Sequence, residues 1–208
     1  MLRRRPFRHR PLIRRRPSLS PPPPGSPRPR PPLPPKVRRA LARANRLMAE
    51  GQFAEAANIF GQLADKAEEL ERPIRAADLM IQAARAHLAA DDAEAAVRRA
   101  KQALLFFVRS RRVGRVPHLL AHTTEALRNK GYHAEADGLE HAVEEGLGQM
   151  GLSLEGVTQR VTAEEPKQRG TLPAQCAGCG APLVPDEVEW HDAHTAECPY
   201  CGTMVKAA

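Results

Sequence analysis

From Val37 to about Met150, apolar residues return every three or four positions, the spacing that gathers them on one side of an α-helix. Ala40, Leu41, Ala44, Leu47 and Met48 make a first face, and Phe53, Ala56, Phe60, Leu63, Ala67 and Leu70 a second. Ile74, Ala77, Ile81, Ala84 and Leu88 follow, then Ala93, Ala96, Val97, Ala100, Leu104, Phe107 and Val108. Leu120, Thr124 and Leu127, and after them Ala136, Leu139, Val143 and Leu147, complete six predicted helices. The breaks within successive pairs fall at Gly51, Asp91 and Gly131, at intervals of 40 residues, and Gly and Asp suit the tight corner after a helix. Pro73 and Pro117 open the second and third pairs at first-turn positions, where a missing amide hydrogen costs nothing. A fixed period of helix pairs predicts a mainly α protein of stacked hairpins; a six-helix bundle is the plainer alternative.

The texture changes on either side of this region. Residues 151–172 are polar and punctuated by glycine, which predicts a linker. Residues 173–208 form a short terminal segment where Val188 and Trp190 alternate with Glu187, Glu189 and His191 as in a strand. At the other end, residues 1–36 hold 13 of the chain's 20 prolines, so neither a hydrogen-bonded ladder nor a core is expected. That tail predicts disorder with polyproline II character, and its Pro31-Pro-Leu-Pro34 spacing fits proline-rich docking peptides. A second reading of the tail is translation of upstream GC-rich DNA, with the start near Val37 or Met48.

The Gly51-Gln-Phe53-Ala-Glu-Ala56-Ala-Asn-Ile-Phe60-Gly-Gln-Leu63 stretch resembles the second helix of the tetratricopeptide repeat. The resemblance covers roughly residues 38–147, and the family's usual period of 34 implies longer helices or connections here. It implies a three-repeat helical-hairpin solenoid whose first helices line a groove for a protein or peptide. By register, that groove would present Arg38, Asn45, Asp78, Arg85, His118, Glu125 and Arg128. Asn45 stands where the family's carboxylate-binding members keep an Asn, while Leu41 replaces the expected Lys.

Charge sharpens the division. Residues 1–39 carry thirteen bases and no acid, leaving 19 bases against 24 acids in the rest, so the net charge of +8 belongs to the tail. No apolar run reaches the length of a membrane span, and prolines instead of an apolar stretch follow the Arg-rich start. A cytoplasmic location is therefore expected.

All four cysteines lie in the last 33 residues, as Cys176-Ala-Gly-Cys179 and Cys198-Pro-Tyr-Cys201 separated by eighteen residues. This spacing is that of a four-thiolate zinc site, and Gly180 and Gly202 after each pair allow backbone amides to turn toward the sulfurs. Four thiolates close a tetrahedron and leave no position for water or substrate, so the expected Zn2+ is structural. A segment this short needs such a staple. Cys-Pro-Tyr-Cys alone also resembles a glutaredoxin dithiol, but only seven residues follow Cys201, too few for the required fold. The two pairs together resemble the zinc-ribbon family, which implies two knuckles and a β-hairpin, with Trp190 packed beside the metal.

Other patterns carry less chemistry. His191 and His194 are the nearest substitute ligands, read here as turn residues, and His118 and His122 share a helical face without the glutamate of HExxH. Gly146-Leu-Gly148-Gln-Met-Gly151 fits GxGxxG but follows a helix, not a strand. The sequence thus predicts no enzyme but a scaffold for an unidentified protein or peptide. The alternative is a nucleic-acid-associated protein using the tail, the Arg109–Arg115 loop and the zinc ribbon, against which stand the ribbon's acids and the 4% aromatic content.

Overall fold

The computed structural model describes residues 33–164 and 169–208; of the Pro/Arg-rich tail, residues 1–32 lie outside the described residues. The predicted helices are present: α1 (Pro35–Ala49), α2 (Phe53–Glu69), α3 (Pro73–Ala89), α4 (Ala93–Arg109), α5 (Val116–Asn129) and α6 (His133–Gly148). Helix α1 starts two residues before Val37, with Pro35 in its first turn and Leu33 already buried. A short 3-10 turn, Val113–Arg115, leads into α5.

One corner geometry recurs through the helical region. Residues 51, 71, 91, 111, 131 and 151, twenty apart each time, all have positive φ. At each, that residue's amide bonds to the carbonyl three positions back, and the next amide bonds to the carbonyl five back: Gly51 to Met48 and Gln52 to Leu47, Arg111 to Val108 and Arg112 to Phe107. These are the paired bonds of the Schellman motif, which satisfy carbonyls left open at a helix end. Three of the corners were visible as Gly or Asp at the 40-residue period. The intervening ones include Glu71 and Arg111, which give no such sequence signal.

Each corner folds a helix back on its predecessor, and every consecutive pair from α1 to α6 packs together. Phe60, Phe107, Leu41, Met80, Leu104 and Leu139 are fully buried between them. Helix α3 is the most enclosed: even its Arg75, Asp78 and Gln82 are buried, because α2 and α4 flank it. Leu70, placed by its spacing on the buried face of α2, stands past the end of that helix and is 58% exposed.

Residues 151–172, read as a linker, contain a seventh helix, α7 (Leu154–Glu164), packed on the 3-10 turn and α5. Ser153 accepts the Gly156 amide at 3.1 Å, as a helix-capping side chain does. Only Leu154, Val157 and Val161 carry its apolar face, too few for the surrounding polar residues to reveal it.

The chain ends in a small cysteine module with a three-stranded antiparallel sheet, β1 (Glu189–Asp192), β2 (Thr195–Glu197) and β3 (Met204–Lys206), in the order β1-β2-β3. Trp190 faces Ala196 and Ala196 faces Val205. The strand begins two residues later than the alternation suggested, and the outward position expected of Glu187 is wrong: it is 2% exposed. Among the described residues, no helix is long and apolar enough to cross a membrane.

Candidate metal centre and the face that holds it

Cys176 and Cys179 lie on one tight turn and Cys198 and Cys201 on another, and two backbone hydrogen bonds of the first turn recur in the second. The Gly180 amide donates to the Cys176 carbonyl at 2.8 Å, and the Gly202 amide to the Cys198 carbonyl at 2.9 Å. The Cys176 amide donates to Ala181, and the Cys198 amide to Thr203. Both glycines have positive φ, 72° and 74°, which lets the chain leave the turn without a Cβ clash. Gly178 has a separate reason to lack a side chain: a Cβ there would lie 2.2 Å from the Thr203 hydroxyl oxygen.

The turns face each other across their sulfurs. All four Sγ atoms lie within 4.8 Å of one another and all four cysteines are buried. Cys176 and Cys201 stand 3.6 Å apart and Cys179 and Cys198 3.9 Å, well beyond a disulfide bond. Sulfurs at about 2.3 Å from a tetrahedral zinc would be about 3.8 Å apart, close to these two separations, so the cluster could hold a metal ion. Thiols packed this closely do not ionise independently. Hydrogen bonding with Cys179, Cys198 and Cys201 holds Cys176 far below the usual thiol range, and hydrogen bonding with Cys176 and Cys179 pushes Cys198 far above it. A bound cation resolves that conflict by stabilising all four as thiolates.

The histidines lie elsewhere. His191 Nε2 stands 3.2 Å from the buried Glu197 carboxylate, and His194 is an exposed turn residue whose amide bonds to Asp192. His118 and His122 place their ring centroids 6.1 Å apart on α5. Gly146–Gly151 is the end of α6 and its corner. Trp190, expected beside the metal, is half-buried over the Arg169 guanidinium at 5.6 Å and borders a cleft of about 820 Å3 between α5, α7 and the module. The aromatic inside a cysteine turn is Tyr200, 3% exposed.

The module does not hang free: it sits against α1, α3 and the start of α5. Asn45 on α1 donates its amide to the Cys179 carbonyl at 2.7 Å. Arg85 on α3 grips Glu187 with both guanidinium nitrogens, and the Tyr200 hydroxyl donates to the same carboxylate at 2.9 Å. Arg115 pairs with the buried Asp78 and donates to the Glu187 carbonyl at 3.1 Å, its guanidinium 4.8 Å from the Phe107 ring. Arg112 reaches Glu189 at 3.1 Å, and His118 approaches Asp186 at 3.8 Å. Burial alone would raise the Glu187 pKa, but the Arg85 hydrogen bond and charge outweigh it and leave the carboxyl below its ordinary range.

Of the seven residues assigned to a partner groove, then, Asn45, Asp78, Arg85 and His118 meet the chain's own cysteine module, Asp78 through Arg115. The others do not join them. Arg38 and Glu125 are exposed, and Arg128 pairs with Asp137 and Glu140 on α6. Sequence reasoning missed Glu187, Tyr200 and Arg115 as members of this network; the acid cluster beside Glu187 was a signal of charge, but its destination lay 102 residues away on α3. Comparison of the chain with protein-family models, curated proteins and solved structures returns no match.

Proposed function

We propose that this protein is a non-enzymatic interaction adaptor: tetratricopeptide-like helical hairpins carry the recognition surface, and a zinc-ribbon-like module closes on one structural Zn2+ held by Cys176, Cys179, Cys198 and Cys201. The observation that supports it best is the pairing of a buried, closely packed cluster of four thiols with a helical surface that already binds an acidic segment through Arg85 and Arg115 and a cysteine-turn carbonyl through Asn45. The metal would act by orienting the two cysteine turns and stabilising their thiolates, a folding role with no vacant coordination position. Arg85 and Arg115 present fixed planar forks suited to carboxylates, and Asn45 reads a backbone carbonyl. That is the chemistry of peptide recognition.

A nucleic-acid role draws less support, since Arg112 and Arg115 of the basic loop are engaged by Glu189 and Asp78. Elemental analysis of the purified full chain tests the metal reading: one Zn2+ per chain is expected, with all four thiols protected from alkylation until a chelator is added. Unprotected thiols with no bound metal would refute it. Affinity capture with the full chain, repeated with Arg85→Glu, tests the adaptor reading, which requires a protein partner lost on charge reversal.

A further inference from the structure

The helix face touches the cysteine module at points whose positions depend on the cysteine turns themselves. The Cys179 carbonyl that receives Asn45 belongs to one cluster cysteine, and Tyr200, which shares Glu187 with Arg85, lies between Cys198 and Cys201. The connecting segment supplies the rest: Asp186, Glu187 and Glu189 face His118, Arg85 and Arg112, and Arg115 holds the Glu187 backbone. The partners of the Glu187 carboxylate are therefore a basic side chain of the helical region, Arg85, and a hydroxyl from inside a cysteine turn, Tyr200.

Two consequences follow from this geometry. A module with so little core keeps its turns in place through the bound ion, so losing the ion releases the Cys179 carbonyl and Tyr200 together. Docking and metal loading are then thermodynamically linked, and each strengthens the other by the same factor. Released, the face exposes Arg85, Arg112 and the Asp78-paired Arg115 in the arrangement that held two carboxylates and a backbone carbonyl of the module.

Resting on the metal reading above, we infer that this face is a metal-gated binding site for an acidic protein segment, with the chain's own residues 185–189 as its occupant when metal is bound. Tethering gives the internal segment a high effective concentration, so it excludes competitors while its turns are ordered. Metal loss removes the ordering, and a partner segment of like chemistry takes its place on Arg85, Arg112 and Arg115.

The experiment uses the full chain, loaded with one Zn2+ or stripped with a chelator, and a fluorescein-labelled peptide of residues 183–190, Leu-Val-Pro-Asp-Glu-Val-Glu-Trp. The expected result is a gain in peptide affinity of roughly tenfold or more on stripping, within the usual range of coupling between linked sites. Arg85→Met should abolish the gain. Attraction to the basic tail is common to both states and cancels in the comparison. Circular dichroism checks that the helices survive stripping. Should they melt, Glu187→Ala decides the matter with metal present: it should bind the peptide while loaded and release Zn2+ to a chelator several-fold faster than the parent. Equal peptide affinity in both states of a helical chain overturns the gating, as does a Glu187→Ala chain that holds metal like the parent and ignores the peptide. A chain that never takes up metal instead refutes the metal reading beneath it.

Discussion

Arg85 and Glu187, 102 residues apart, form a two-pronged ion pair in which the carboxylate is 2% exposed and the guanidinium side chain 25%. The pair joins the middle of the helical region to the middle of the cysteine module. Truncating one member leaves the other charge buried without its partner, which costs more than the intact pair contributes. Arg85→Met is therefore expected to destabilise docking by about 2 to 4 kcal/mol, at the lower side because Arg85 keeps some water. Replacing both, Arg85→Met with Glu187→Leu, should recover much of that loss, and a double-mutant cycle in urea denaturation measures the difference.

The same carboxylate gives a pH dependence of known sign. Glu187 has a folded pKa below its ordinary value of 4.5, so its contribution is complete above that value and disappears as pH falls through the lower, folded one. The stability gap between the parent and Glu187→Gln should be constant from neutrality to about pH 5.5 and close on further acidification. Urea midpoints measured for both chains across that range would show it. A gap that widened in acid would contradict the ion pair.

Gly178 tests the fit of the two cysteine turns to each other. Its missing Cβ leaves room for the Thr203 hydroxyl, whose oxygen stands 3.0 Å from the Cys201 sulfur. Gly178→Ala is expected to speed metal release to a chelator by about tenfold, the scale seen when groups supporting metal ligands are disturbed. Thr203→Ala in the same chain should restore part of the loss, because it removes the nearest clashing atom.

The corners make opposite predictions at residues of different type. Gly131 has φ of 87° with nothing near its absent Cβ, so Gly131→Ala should cost about 1 kcal/mol through backbone strain alone. Glu71 adopts φ of 53° at an exposed corner of the same construction, and Glu71→Gly is expected to stabilise the chain by about 0.5 kcal/mol. Thermal melts of the two variants should shift in opposite directions.

The helices were legible because their information is local: a spacing of three or four buries one face wherever the chain runs, and Gly51, Asp91 and Gly131 mark corners that favour those residues. Glu71 and Arg111 turn the chain equally well, but they do so under compulsion from the helices on either side, and nothing in their side chains announces it. Helix α7 was hidden for a related reason, since a helix that lies on others needs only a few apolar contacts and leaves the rest of its sequence polar.

The cysteine cluster was legible as well, because two short turns and one metal-sized gap are encoded in two spacings of two residues. Where that cluster would sit was decided only in three dimensions. Carboxylates at Asp186, Glu187 and Glu189 read only as acidic charge until His118, Arg85 and Arg112 are placed opposite them, and Asn45, Arg85 and His118 read as free for a partner until the module is placed against them. Sequence determined which groups carry charge and which sulfurs can share an ion; burial of Glu187 beside Arg85 depends on helix packing between segments 102 residues apart, and no local pattern contains that distance.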